Sequence, residues 1–167
     1  LVGFTELSEG RTAVFRGDVA GKGAAAGMLM AVIQASLDAY FSAGETPAPA
    51  IDRLNEFVIR RTASNEFSTL FLAVIDTVNG KLCTVDAGHG YALLLRNGGS
   101  SVIESDGGPP VGAVEDIPFG ESLHEIKAGD RIVLYSGGVA EEPDEARTLF
   151  GVERQQAPLE GRASRSK

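Results

Sequence analysis

Hydrophobic and polar residues alternate from Arg11 to Val19, with Ala13 and Phe15 on one side and Val19 in phase, which is the period of a strand. From Gly23 to about Ser42 the period lengthens. Met28, Leu29, Val32, Ile33, Leu37 and Tyr40 recur at three- and four-residue steps, predicting a helix with a wide apolar face. Its small opening residues, Ala24 to Gly27, allow close packing. After the connector GETPAP (44–49), Ile51, Leu54, Val58 and Phe57 predict the buried side of a second helix, with Arg53, Glu56, Arg60 and Arg61 outside.

The remainder reads as strands. Phe67 to Asp76 is a nearly continuous apolar run, as expected of a strand covered on both faces. Asn79-Gly80 predicts a hairpin turn into Lys81–Asp86. Tyr91–Arg96 and Ser101–Glu104 flank a second turn at Asn97-Gly98-Gly99, and Ser122–Ile126 and Arg131–Tyr135 a third at Lys127–Asp130. Two early helices followed by successive hairpins predict an α+β domain with largely antiparallel sheets.

The chain has 167 residues, 43% hydrophobic and 23% charged, enough for one globular domain with a substantial core. Its net charge of -8 disfavours a general nucleic-acid or anionic-membrane binder. Cys83 is the only cysteine, which excludes an internal disulfide and a cysteine-based zinc site, and its apolar surroundings favour a buried thiol over a nucleophile. No apolar run approaches the roughly 20 residues of a bilayer span and no signal peptide is visible, so a cytoplasmic setting is expected. Leu1-Val2-Gly3-Phe4 begins in mid-pattern, as if the domain were excised from a longer chain.

Chemistry concentrates in RGDVAGKGAAAG (16–27). A phosphate-binding P-loop fails, because Gly17 to Gly21 is one residue short and Lys22 precedes a glycine rather than a hydroxyl residue. The dinucleotide fingerprint fails too, since Gly27 is displaced from its third glycine. Two readings remain: a tight turn in which Asp18 caps the helix, or a metal loop in which Asp18 offers a hard oxygen ligand to Mg²⁺ or Mn²⁺.

The ordered set GDVAGKG (17–23), Ser68-Thr69-Leu70-Phe71, Asp86-Ala87-Gly88-His89, Pro109-Pro110-Val111-Gly112, AGDRIVLYSGGV (128–139) and Phe150-Gly151 resembles the SpoIIE-like branch of the metal-dependent (PPM-type) bacterial serine/threonine protein phosphatases. The resemblance covers about residues 3–154. It implies two packed, mainly antiparallel β-sheets flanked by helices, an α-β-β-α sandwich. It implies hydrolysis of phosphoserine or phosphothreonine by a hydroxide bound at two Mn²⁺ or Mg²⁺ ions. Asp18 matches the acid that bridges both metals, and Val19 the residue whose backbone carbonyl is a ligand. The implied partner is a phosphorylated protein, such as an anti-sigma-factor antagonist, and the implied context is fusion to a sensor domain, with neither nucleic acid nor membrane engaged by this segment.

Several positions depart from the family's pattern. Gly137 stands where relatives carry an aspartate, and Leu1 to Gly3 hold no early acid, with Glu6 and Glu9 out of register. Glu141 or Glu142 could replace the missing ligand only by reaching back four or five residues. The alternative to an active enzyme is therefore a degenerate, non-catalytic module of the same fold acting in binding or regulation. His89 reads either as a general acid or as a holder of its own loop. His124 reads as a surface or packing residue, Lys22 fits the family's loop, and Asp106, Asp116 and Asp130 read as turn carboxylates. The expected domain is 1–154, with 155–167 a linker or tag-like tail.

Overall fold

The structure is a computed structural model that describes residues 1–7, 9–62 and 66–136. These carry two helices and two sheets, a mixed α+β architecture. The described residues divide into two compact units, one within Leu1–Gly90 with Ser105–Ile126, the other of Tyr91–Glu104 with residues 127–136.

The first unit is built on strands β1 (Val2–Glu6), β2 (Arg11–Val19), β3 (Ser68–Asp76), β4 (Lys81–Ala87), β7 (Gly107–Gly108) and β8 (Ser122–Glu125). Their order is β1-β2-β3-β4-β7, with β8 also paired to β4; all pairs are antiparallel except β4 with β7. Alternation sends Ala13 and Phe15 of β2 and Leu70, Leu72 and Val74 of β3 into one core. Phe71 and Ala73 are buried from the opposite face of β3, as its continuous apolar run predicted.

Helix α1 (Ala24–Ser42) contributes Leu29, Ile33, Leu37 and Phe41 to that core, and α2 (Pro47–Arg61) contributes Ala50, Ile51, Leu54 and Val58. Pro47 opens α2 where its missing N–H costs nothing. Each fully buried leucine or isoleucine contributes about 1.5–3 kcal/mol. The α1 stripe is narrower than expected. Met28 is 70% exposed and Val32 lies at the surface, because the buried residues follow a strict four-residue step that rotates their neighbours outward. Tyr40 is half-buried beneath the Arg53 guanidinium, 4.7 Å from its ring centre. By length and composition α1 could span a bilayer, which corrects the expectation that no stretch approaches that length; here one side of it packs into the core.

The second unit holds β5 (Ala92–Arg96), β6 (Gly99–Val102) and β9 (Arg131–Leu134), ordered β6-β5-β9. Arg96 donates from Nε and Nη2 to Asp130 at 2.9 and 2.6 Å. Asp130 also accepts the Lys127 amide at 2.7 Å, the turn role anticipated for it.

The third predicted hairpin does not form. β8 pairs with β4 and β9 pairs with β5, so the Lys127–Asp130 turn passes from one sheet to the other. Turn chemistry is local and does not specify a strand's partner. Strands β1 and β7 were also unforeseen. β7 is two glycines long, and a Cβ on Gly107 would stand 1.8 Å from the Asp86 carbonyl oxygen.

Candidate active site

The carboxyl end of β2 is where four of the sequence motifs meet. Gly17 faces inward, and a Cβ there would lie 2.6 Å from the Thr69 carbonyl, so only glycine lets β2 and β3 approach this closely. Asp18 follows, directly opposite Thr69 in the register, with Val19 opposite Ser68. The chain then turns through Gly21 and Gly23, with φ of 112° and 80°, values that favour glycine. Gly23 is the N-cap of α1 and receives no side-chain capping bond, so Asp18 does not cap the helix.

The Asp18 side chain is exposed, and its carboxylate joins no hydrogen bond or ion pair among the described residues. Its backbone is well held: the carbonyl accepts Ser68 Oγ at 3.1 Å and Thr69 Oγ1 at 3.4 Å. Both polar main-chain groups of Gly17 engage Leu1, at 3.0 and 2.8 Å. Alternation directs Val19's carbonyl to that same edge, away from the β2–β3 ladder.

Two further motifs join this strand end through backbone bridges. Gly88 bridges Leu70, and Val111 bridges Ser68 with N–H to O distances of 2.9 and 2.8 Å. Asp86 organises its loop by accepting the amides of His89 at 2.7 Å and Gly90 at 2.9 Å. That loop delivers His89, only 5% exposed, to a point where Nδ1 lies 3.3 Å from Thr69 Oγ1. Asp86 therefore holds the loop, while His89 braces Thr69.

Asn55 was missed by sequence reasoning. It is buried within the apolar stripe of α2, donates Nδ2–H to the Val114 carbonyl at 2.9 Å and accepts the Gly112 amide at 2.7 Å. Its signal was a polar residue at a core position, four after Ile51. Lys22 is exposed and lines a cavity of about 130 Å³ with Val19, Gly21 and Glu66. Glu6 sits opposite Thr12, six residues along β2 from Asp18 and hence about 20 Å away. Gly137, Glu141, Glu142 and Phe150-Gly151 lie outside the described residues.

No group of three or more His, Cys, Asp or Glu side chains able to hold a metal occurs among the described residues. What Asp18 and Val19 offer is an all-oxygen pair, suited to a hard cation that keeps several waters. The pair fits one such ion. Cys83 does not compete as a nucleophile: burial, then the Glu121 carboxylate, pushes its thiol up to about 11. His124 bonds Thr84 through Nε2 at 3.0 Å, the packing role of the two expected of it.

The family model for Stage II sporulation protein E (SpoIIE) matches residues 8–167. Phosphoserine phosphatase RsbU of Bacillus subtilis is 28% identical over 126 residues, covering 74% of this chain and 37% of that protein. Phosphoserine phosphatase RsbP of the same organism is 24% identical over 143 residues, covering 83% of this chain and 36% of that protein. The chain thus spans little more than a third of either relative. Among solved structures, the RsbU and RsbW domains of Rv1364c from Mycobacterium tuberculosis match with a TM-score of 0.85 at 24% identity, covering 98% of this chain and 46% of that one. The PP2C phosphatase domain of SpoIIE from Bacillus subtilis, with a fragment of its regulatory domain, matches with a TM-score of 0.82 at 21% identity, covering 96% and 46%. At these identities the structural likeness establishes the fold.

Proposed function

The chain belongs to the SpoIIE family, the PP2C-type phosphatase domains of bacterial signalling proteins, and we propose that it hydrolyses phosphoserine or phosphothreonine on a protein partner with Asp18 as its metal carboxylate. One observation carries this reading: the carboxylate of Asp18 is exposed and unengaged at the strand end where the Ser68-Thr69, Gly88-His89 and Pro110-Val111 segments converge.

Phosphatases of this type depend on Mn²⁺ or Mg²⁺, which when bound neutralises phosphate charge and makes a neighbouring water acidic. Asp18 and the Val19 carbonyl would hold the ion. Thr69 and Ser68 fix the Asp18 backbone, so the carboxylate is presented from a rigid strand rather than a loop. Buried His89 steadies Thr69, which supports a positioning role rather than proton transfer to a substrate.

The partner we propose is a phosphorylated anti-sigma-factor antagonist, presented to a cytoplasmic domain fused to a sensor. The curated relatives RsbU and RsbP, both named phosphoserine phosphatases, support the phosphoserine class. A unit of 1–154 with a separate tail agrees with the polar, aperiodic composition of residues 155–167. Gly137, in place of an aspartate, is what favours the non-catalytic alternative.

Calorimetric titration of Mn²⁺, with turnover of a phosphoserine protein by wild type, Asp18→Ala and Gly137→Asp, decides between them. Metal-dependent turnover abolished in Asp18→Ala is expected. A wild type that neither takes up metal nor turns over, and gains both in Gly137→Asp, would overturn the enzyme reading.

A further inference from the structure

Arg16 precedes Asp18 by two positions on β2, so both side chains leave the same face with Cα atoms about 6.7 Å apart. Across the ladders Arg16 stands opposite Val2 on one side and Phe71 on the other. The residue is half-buried, and its Nε is shut off from water without a hydrogen-bond partner. It is the only buried side-chain nitrogen or oxygen among the described residues left in that condition.

An arginine carries five donors and remains charged at any physiological pH. A guanidinium N–H held out of water without a partner costs stability unless an acceptor meets it. Two carboxylates are near enough to be considered. Asp86 shares the row of Arg16 and Phe71 on the same face, but its oxygens are committed to the His89 and Gly90 amides. Asp18 is within a side chain's length, yet the two form no ion pair. Opposite charges thus lie side by side on one sheet face, and neither neutralises the other.

We infer that Arg16 is an anion-binding residue of this site, taking the oxygens of a phosphate monoester dianion on the side facing away from Asp18's cation. This rests on the reading of Asp18 as a metal carboxylate. The planar fork of a guanidinium matches two phosphate oxygens, which a lysine ammonium does not. The arrangement also accounts for the missing Arg16–Asp18 pair. A divalent ion on the carboxylate and a dianion between it and the guanidinium satisfy both groups at once, whereas a direct ion pair would close the site. Arg16 is a binding residue in this account and takes no part in moving protons.

The test uses inorganic phosphate as the probe and the whole 167-residue chain. The arginine Nε–H resonances of isotope-labelled protein are followed during a phosphate titration, with and without Mg²⁺, against chloride as a control. Saturable movement of the Arg16 resonance by phosphate and not by chloride is expected. Arg16→Gln should weaken phosphate binding by about tenfold or more, the loss of one or two charge-assisted hydrogen bonds, with Arg16→Lys intermediate. Mg²⁺ uptake should survive both substitutions. Arg16→Leu should raise the melting temperature in the absence of phosphate, since it removes a buried N–H without a partner, and abolish the further rise that phosphate gives the wild type. An Arg16 resonance unmoved by phosphate, or phosphate affinity equal in wild type and Arg16→Gln, overturns the inference. The wild-type titration stands even if a variant does not fold. Absent metal uptake with the Arg16 response intact would defeat the hydrolase reading alone; normal metal uptake and turnover with a silent Arg16 would defeat this one alone.

Discussion

Thr69 Oγ1 stands 3.3 Å from Nδ1 of His89, and the same hydroxyl lies 3.4 Å from the carbonyl of Asp18, which faces it across the β2–β3 ladder. One small side chain therefore ties a buried imidazole to the backbone of the candidate metal carboxylate. The consequence is measurable.

Thr69→Val keeps the shape and removes the hydroxyl. It should cost about 1–3 kcal/mol, because buried His89 loses a partner that valine cannot replace. Urea denaturation reads that loss. Turnover should fall further than stability alone accounts for, and Thr69→Ser should restore most of it.

Gly17→Ala places a methyl group 2.6 Å from the Thr69 carbonyl, against backbone rather than a yielding side chain. The strands must separate, at about 1–3 kcal/mol. Because Asp18 is the next residue, Mn²⁺ affinity should drop together with stability. A Gly17→Ala protein with wild-type metal affinity would show that the close approach of β2 and β3 is irrelevant to the site.

Asn55→Leu removes the partners of the Gly112 amide and the Val114 carbonyl at one stroke. Two backbone groups lose their bonds, and about 2–4 kcal/mol of destabilisation is expected. Hydrogen exchange at Gly112 should accelerate by more than the global loss implies, because the segment after Val111 is released from α2 first.

Asp130 carries the pH dependence that can be assigned. The Arg96 hydrogen bond, foremost, and the Lys127 amide hold its carboxyl below the ordinary value of 3.8. A carboxylate depressed in the folded state contributes stability that is complete above its unfolded value and fades as pH falls through the folded one. Denaturant midpoints taken at about pH 6 and about pH 3 should therefore differ less in Asp130→Asn than in wild type. An equal difference would show that the Arg96 pair carries none of the acid sensitivity.

The relation of sequence to fold is uneven, and particular elements show why. β2, with its hydrophobic alternation, and the Asn79-Gly80 turn were legible because their signals are local. β1 was not, since exposed Val2 and Phe4 and inward Gly3 invert the usual pattern, and Gly3 leaves room for the Phe15 ring. The α1 stripe was overdrawn at Met28 and Val32 because apolar residues at helical spacing do not say how wide a surface the sheet will cover. At the site, Asp18 stood out through its glycines. Asn55 and Arg16 did not, because nothing adjacent in the chain reveals which backbone amide the first will satisfy or that the second will stay unpaired.

By itself the sequence determined the family, the α+β class, most strands and both helices, and Asp18 as the residue to watch. Such features depend on periods of two and 3.6 residues and on turn residues, interactions that close within one element. Only the tertiary structure decided that β8 and β9 belong to different sheets, that His89 reaches Thr69, and that Arg16 and Asp18 lie on one face without pairing. Those outcomes rest on contacts between residues distant in the chain, where register and the available space, rather than local preference, set the lowest free energy.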